Sequence, residues 1–125
     1  MDSVLQGFLN RLETLDSGRM YGGDFFLTWE KTRDELDAVF AVADALRRLR
    51  ALNRSARLFD SGLGVSLFRD NSTRTRFSFA SACNLLGLAA QDLDEGKSQI
   101  AHGETVRETA NMISFMAEAV SYTHL

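Results

Sequence analysis

The sequence contains no proline and only one cysteine among its 125 residues. Cys83 therefore has no partner for an internal disulfide or for a CxxC zinc site, and packing within a helix is its expected role. No apolar run approaches the roughly 20 residues that a membrane-spanning helix needs, and the amino-terminal residues lack the basic start of a secretion signal. These absences predict a cytoplasmic protein that has no contact with a membrane.

The chain also lacks an excess of positive charge. Its 14 basic and 17 acidic residues give a formal net charge of −3, which argues against general binding to nucleic acid or to acidic membranes. No cluster of histidine, cysteine or carboxylate has the spacing of metal ligands, so neither a metal nor an organic cofactor is expected. Anion binding must then be local, and Arg69, Arg74 and Arg76 form such a local concentration.

Apolar periodicity predicts two helices in the first part of the chain. The first carries apolar residues at spacings of three and four, namely Val4, Leu5, Phe8, Leu12 and Leu15. The second begins at Thr32, where Glu35 follows three residues later as a capping box, and keeps helical period to about Asn53.

After residue 55 the pattern changes to alternating strands and helices. Residues 56–59 and 64–68 read as short strand-like runs, and we expect at least one of them to be a buried strand. A helix ending before Gly87, a strand over 88–93, a loop over 94–103 and a helix capped by Thr105 and Glu108 follow. This order predicts an α/β fold in which helices flank a parallel sheet.

The most informative segment is Ser72-Thr73-Arg74-Thr75-Arg76, where a strand ends and a helix begins. The first turn of a helix presents unpaired N–H groups and the positive end of the helix dipole, both of which favour a bound phosphate. Hydroxyl donors and an arginine fork complete a candidate oxyanion cradle. An ordinary serine N-cap with solvated arginines is the competing interpretation.

Two ordered motifs resemble one family. Residues 72–79 read STRTRFSF and look like the carbamoyl-phosphate signature of the aspartate and ornithine carbamoyltransferases. Residues 98–105, SQIAHGET, are similar to the family loop that contains Gly-Glu-Ser or Gly-Glu-Thr, and the resemblance extends from about residue 25 to 119. It implies acyl transfer, in which an amino-acid-like amine attacks carbamoyl phosphate and expels phosphate.

The resemblance also implies the roles of individual residues. Those that would bind the phosphate are Ser72, Thr73, Arg74 and Thr75. Arg74 would in addition act in catalysis by offsetting charge as phosphate leaves.

Further roles implied by the resemblance involve the second motif. Ser98 and His102 would reach into the site of a neighbouring subunit in a homotrimer, although His102 could equally be a polar surface residue. Glu104 would orient Arg76 as structural support, or would simply be a carboxylate at a helix start.

Departures from the family pattern indicate which subfamily the sequence resembles. Residues 60–64 and 69–71, DSGLG and RDN, look most like the knotted carbamoyltransferases associated with purine or allantoin catabolism. Residues 1–119 are expected to be an incomplete carbamoyl-phosphate-binding domain, with the second, acceptor-binding domain absent. Residues 120–125 leave the family pattern and are interpreted as a non-native tail. The fragment alone is not expected to turn over.

Two other classes of function remain open on the sequence. One is a stand-alone module that binds phosphate or another small anion without catalysis. The other is a helical interaction protein that carries the motif by chance.

Overall fold

A computed structural model of the chain describes residues 1–68, 72–94 and 102–123. The chain divides into two compact units, Met1–Ala56 and Arg57–Leu125. The first holds helices α1 (Ser3–Glu13) and α2 (Arg33–Ala51), with short 3-10 turns at Gly18–Met20 and Thr28–Glu30. The second holds β1 (Leu63–Phe68), α3 (Thr73–Leu86), β2 (Ala89–Asp92), α4 (Val106–Met116) and β3 (Ala119–Thr123). Within the described residues, no helix has the length and apolar character required to span a bilayer.

The first unit is a pair of packed helices. Both helices were predicted, and the capping box of Thr32 and Glu35 at the start of α2 is confirmed. The buried apolar residues are Leu5 on α1 and Ala38, Ala41 and Ala45 on α2, and the capping residue Glu35 is buried as well. Helix α2 ends at Ala51, two residues before the predicted Asn53, which adopts a left-handed conformation with φ of 55°.

An ion pair joins the start of α1 to the end of α2. The carboxylate of Asp2 accepts hydrogen bonds from Arg48 Nε at 2.9 Å and Arg48 Nη2 at 2.6 Å, and also accepts one from the backbone N–H of Leu5 at 3.0 Å. The Arg48 guanidinium and the Leu5 amide hold the pKa of the Asp2 carboxyl well below its usual range.

We expect acid to weaken the first unit through Asp2. Its pKa is lower in the folded than in the unfolded chain, so its contribution to stability is complete above the unfolded pKa of about 4 and is lost as the pH falls further.

Asn at position 2 still caps the helix but carries no charge. The melting temperature of Asp2→Asn should therefore lie below that of the unaltered chain at neutral pH, and the difference should shrink in acid. Glu13→Gln is the control, because Glu13 is exposed and makes no hydrogen bond among the described residues; an equal pH dependence of both differences would contradict the assignment.

The second unit contains a three-stranded sheet in the order β2-β1-β3. Both pairings are parallel, with Leu63 opposite Ala89 and Gly64 opposite Ala119. Parallel neighbours require a crossover connection, which α3 provides between β1 and β2. The parallel sheet flanked by helices confirms the predicted α/β class.

The central strand β1 is the buried one. Its residues Gly64, Val65, Ser66 and Phe68 are all buried, which confirms the predicted buried strand. Helix α3 packs closely on it, because a Cβ at Gly64 would overlap Cys83 Sγ. Cys83 is buried within this contact, as expected, and burial raises the pKa of its thiol.

Two segments have a secondary structure that was not predicted from the sequence. Residues 56–59 form no strand; instead the backbone N–H groups of Leu58 and Phe59 each donate to the carbonyl of Leu86 at 2.9 Å. Residues 119–123 form β3, where no secondary structure was predicted, and the boundary expected at 119 stays a prediction. Residues 119–123 can pair with β1 because parallel pairing uses backbone N–H and C=O groups, and every residue except proline supplies both. Most of the predicted loop over 94–103 lies outside the described residues.

Candidate functional site: the start of helix α3

Helix α3 begins at the predicted position, and four residues separate its first residue, Thr73, from the end of β1 at Phe68. Ser72 is its N-cap, with extended backbone angles of φ −76° and ψ 95°. Ser72 Oγ lies 2.9 Å from Thr75 Oγ1 and 3.4 Å from Thr75 N, so the two hydroxyl groups face each other across the first turn. The predicted helix start at this motif is therefore confirmed.

Backbone amides in this first turn are available to a ligand. The first intrahelical hydrogen bond runs from Arg76 N to the Ser72 carbonyl at 3.1 Å. The N–H groups of Thr73 and Arg74 precede it and donate no hydrogen bond within the part of the chain that the structure describes. Such unpaired amides at a helix start are suited to hold an anion.

Helix α3 differs from the other α-helices of the structure in having no carboxylate at its start. Helix α1 is capped by Asp2, and α2 and α4 carry Glu35 and Glu108 in capping boxes. Thr75 occupies the corresponding position of α3, whose first turn contains no acidic residue. On α4 hydrogen bonds from the backbone N–H and the hydroxyl of Thr105 lower the pKa of Glu108, and negative charge is favoured at helix starts in general. Helix α3 leaves the same position open to an external anion.

The two arginines of the motif have different surroundings. Arg74 is exposed and makes no hydrogen bond or ion pair with any described residue. Arg76 forms an ion pair with Asp92 through Nη1 and donates from Nη2 to the carbonyl of Phe68 at 2.6 Å. Arg74 is therefore the arginine that can turn toward a ligand at the helix start, whereas Arg76 is tied to the ends of β2 and β1.

The residues of the second predicted motif are only partly described. His102 is exposed, and Ser98 lies outside the described residues, as does Arg69, which precedes the first motif. Glu104 is half-buried and makes no hydrogen bond or ion pair with Arg76, whereas Asp92 does form an ion pair with it. The capping box of Thr105 and Glu108 was predicted and is present. In the described ranges, no group of three or more histidine, cysteine or acidic residues is placed to hold a metal.

Asp92 was missed in the sequence. It is the last residue of β2, and its Oδ1 accepts a hydrogen bond from Ser66 Oγ on β1 at 2.7 Å. The available signal was an acidic residue inside the apolar run 88–93, but its partners became visible only with the strand register.

The fold and this helix start together define an α/β domain with a candidate anion-binding site that follows its central parallel strand. Residues 24–124 match the carbamoyl-P binding domain of aspartate/ornithine carbamoyltransferases. The chain belongs to this family, which confirms the resemblance seen in the two motifs.

Individual relatives agree with this assignment. YgeW of Escherichia coli strain K12, a protein assigned to the carbamoyltransferases, is 70% identical over 104 residues, which cover 83% of this chain and 26% of that protein. The ornithine carbamoyltransferase of Parafrankia sp. is 37% identical over 97 residues, covering 77% of this chain and 31% of its own length. The chain thus spans between a quarter and a third of these relatives.

Solved structures show the same fold. The catalytic subunit of aspartate transcarbamoylase from M. jannaschii superposes with a TM-score of 0.70 at 26% identity, over 80% of this chain and 33% of that chain. Aspartate transcarbamoylase from Trypanosoma cruzi, in complex with carbamoyl phosphate and aspartate, gives a TM-score of 0.73 at 23% identity, over 82% and 32% of the two chains.

Proposed function

We propose that the start of α3 binds the phosphate group of carbamoyl phosphate, for transfer of the carbamoyl group to the amine of an amino-acid-like acceptor. The observation that carries this proposal is the combination of Thr73 and Arg74 amides that donate to no described residue with a first turn that lacks any carboxylate. Ser72 and Thr75 add hydroxyl groups 2.9 Å apart, and the exposed Arg74 adds a guanidinium. This set matches the charge and the hydrogen-bonding capacity of a phosphate.

Chemistry at this site would need positioning and charge stabilisation. The neutral amine attacks the carbonyl carbon of carbamoyl phosphate, a C–N bond forms, and the C–O bond to phosphate breaks with its electron pair leaving on the phosphate. The proton that the attacking nitrogen loses passes to the departing phosphate. Arg74 and the helix amides would stabilise that departing negative charge. No side-chain nucleophile takes part in this scheme.

The rest of the active site would come from outside the described helix start. Ser98 and His102 are proposed to reach the phosphate of a neighbouring subunit in a homotrimer, and the exposure of His102 is compatible with such a role. The relative from T. cruzi was crystallised with both carbamoyl phosphate and aspartate, which supports a two-substrate reaction. An acceptor other than aspartate or ornithine, from purine or allantoin catabolism, is proposed from the subfamily resemblance of residues 60–64 and 69–71.

Titration with carbamoyl phosphate tests the proposal. Binding to the folded chain should raise its free energy of unfolding by about 2.7 kcal/mol at a ligand concentration of about 100 times Kd. The shift is measured by urea unfolding at low temperature, where carbamoyl phosphate survives the experiment. Sulfate and inorganic phosphate are run in parallel as controls.

The outcomes distinguish the two candidate functions. Protection by carbamoyl phosphate at lower concentrations than inorganic phosphate supports the transferase domain. Equal protection by both favours the stand-alone phosphate-binding module, since the site would then not recognise the carbamoyl group. A folded chain that no anion protects contradicts both functions.

A further inference from the structure

We propose that Asp92 is a positioning residue for anion binding: its carboxylate fixes Arg76 and thereby holds the first turn of α3 in its binding geometry. This inference rests on the proposed function of the α3 start. It adds a residue that lies outside both sequence motifs and that does not itself touch the anion.

One carboxylate joins three elements of the second unit. Asp92 ends β2 and lies in register with Ser66 on the neighbouring β1. Its Oδ1 accepts from the hydroxyl of Ser66, which is buried, at 2.7 Å. Its Oδ2 forms the ion pair with Arg76 Nη1 on α3. Both carboxylate oxygens are therefore used, each by a different element.

Arg76 transmits this arrangement to the helix start. It is the fourth residue of α3, and its backbone N–H makes the first intrahelical hydrogen bond, to Ser72. Its guanidinium also donates to the Phe68 carbonyl and lies 6.0 Å from the centre of the Phe68 ring. Since successive helical residues are rotated by about 100°, anchoring Arg76 fixes the directions of the Thr73 and Arg74 amides.

The ion pair with Asp92 also gives Arg76 a different role from Arg74. Asp92 balances the charge of Arg76, whose side chain is only 28% exposed. Loss of that carboxylate would reduce the charge compensation of Arg76 beside Phe68, so the guanidinium would be drawn more strongly toward the bound anion. Asp92 thus favours a supporting role for Arg76 and leaves the anion to Arg74.

The decisive variant is Asp92→Asn, assayed with carbamoyl phosphate by calorimetry at a low temperature where the chain is folded. The amide keeps an acceptor for Ser66 but presents a donor to Arg76, so the ion pair is lost. We expect the affinity to fall about tenfold, the size of effect given by one charge-assisted hydrogen bond. Asp60→Asn, which removes an exposed acid in the same unit, should leave the affinity unchanged.

A double-mutant cycle separates positioning from simple destabilisation. If Asp92 acts through Arg76, the double variant Asp92→Asn/Arg76→Gln should lose no more affinity than the weaker-binding of the two single variants. Additive losses would overturn the inference. An affinity of Asp92→Asn within twofold of the unaltered chain, with a lower urea midpoint, would also overturn it, because the carboxylate would then serve stability alone.

Two further results complete the test. Should Asp92→Asn fail to fold, Ser66→Ala decides the question: it frees one carboxylate oxygen while keeping the ion pair, and should weaken binding about threefold. Unchanged affinity of Ser66→Ala would then overturn the inference. If the unaltered chain binds no carbamoyl phosphate, the proposed function and this inference fail together. If the unaltered chain binds it but the variants do not show the expected losses of affinity, the inference alone fails.

Discussion

Arg74→Ala should weaken carbamoyl phosphate binding about 30-fold. The variant removes the one guanidinium of the motif that has no partner among the described residues, and with it about 2 kcal/mol of charge-assisted hydrogen bonding. At a ligand concentration that is about 100 times the Kd of the unaltered chain, the protection against urea should fall from about 2.7 to about 0.9 kcal/mol. Stability without ligand should change little, because Arg74 is exposed.

Arg107 provides a matched control for this experiment. It occupies the second position of α4, as Arg74 does of α3, and it is likewise exposed. The two helix starts differ in that α4 carries the capping carboxylate of Glu108. Arg107→Ala should leave binding unaltered. Equal losses in the two variants would indicate a general effect of net charge and would remove the basis for a site at α3.

Local signals in the sequence predicted the helix starts. The capping boxes of α2 and α4 depend on residues three apart, and the structure contains both. The Ser72 cap and the Gly87 helix end are equally local, so they were also readable from the sequence. The order of strands and helices then sufficed for the α/β class, because parallel strands need crossovers.

Contacts that depend on strand register could not be predicted in this way. The bonds from Asp92 to Ser66 and Arg76 join residues 26 and 16 positions apart, and they require β1 and β2 to be aligned. The sequence motif suggested Glu104 as the partner of Arg76, since it lies in the second motif, but the aligned strand places Asp92 there. Residues 56–59 had strand-like composition, yet the carbonyl of Leu86 binds their amides instead of a neighbouring strand.

The geometry of the helix explains why Arg74 and Arg76 have different surroundings although only one residue separates them. Two successive steps of a helix turn the side-chain direction by about 200°, so these arginines point to opposite sides of α3. The side of Arg76 faces the ends of β1 and β2, where Phe68 and Asp92 meet it. Sequence composition treats the pair as one basic cluster, whereas the fold assigns one arginine to the scaffold and exposes the other.

Gly87→Ala should destabilise the second unit by about 2 to 4 kcal/mol. Gly87 ends α3 with φ of 100°, a conformation that costs a residue with a side chain about 1 kcal/mol or more. A Cβ at this position would also overlap the carbonyl oxygen of Phe59, a backbone atom that cannot rotate away. Moving Phe59 would in turn disturb its hydrogen bond to Leu86. Urea unfolding followed by far-UV circular dichroism measures the change, and hydrogen exchange of the α3 amides assigns it to this unit.

Gly103 separates the two causes of this expected loss. It has the same φ of 100°, but a Cβ there would meet no described residue within 4 Å. Gly103→Ala should therefore cost only the conformational part, about 1 kcal/mol. The difference between the two variants then measures the collision with Phe59, which fixes the end of α3 against the segment before β1. If Gly87→Ala were no more destabilising than Gly103→Ala, that contact would have no role in holding α3 in place.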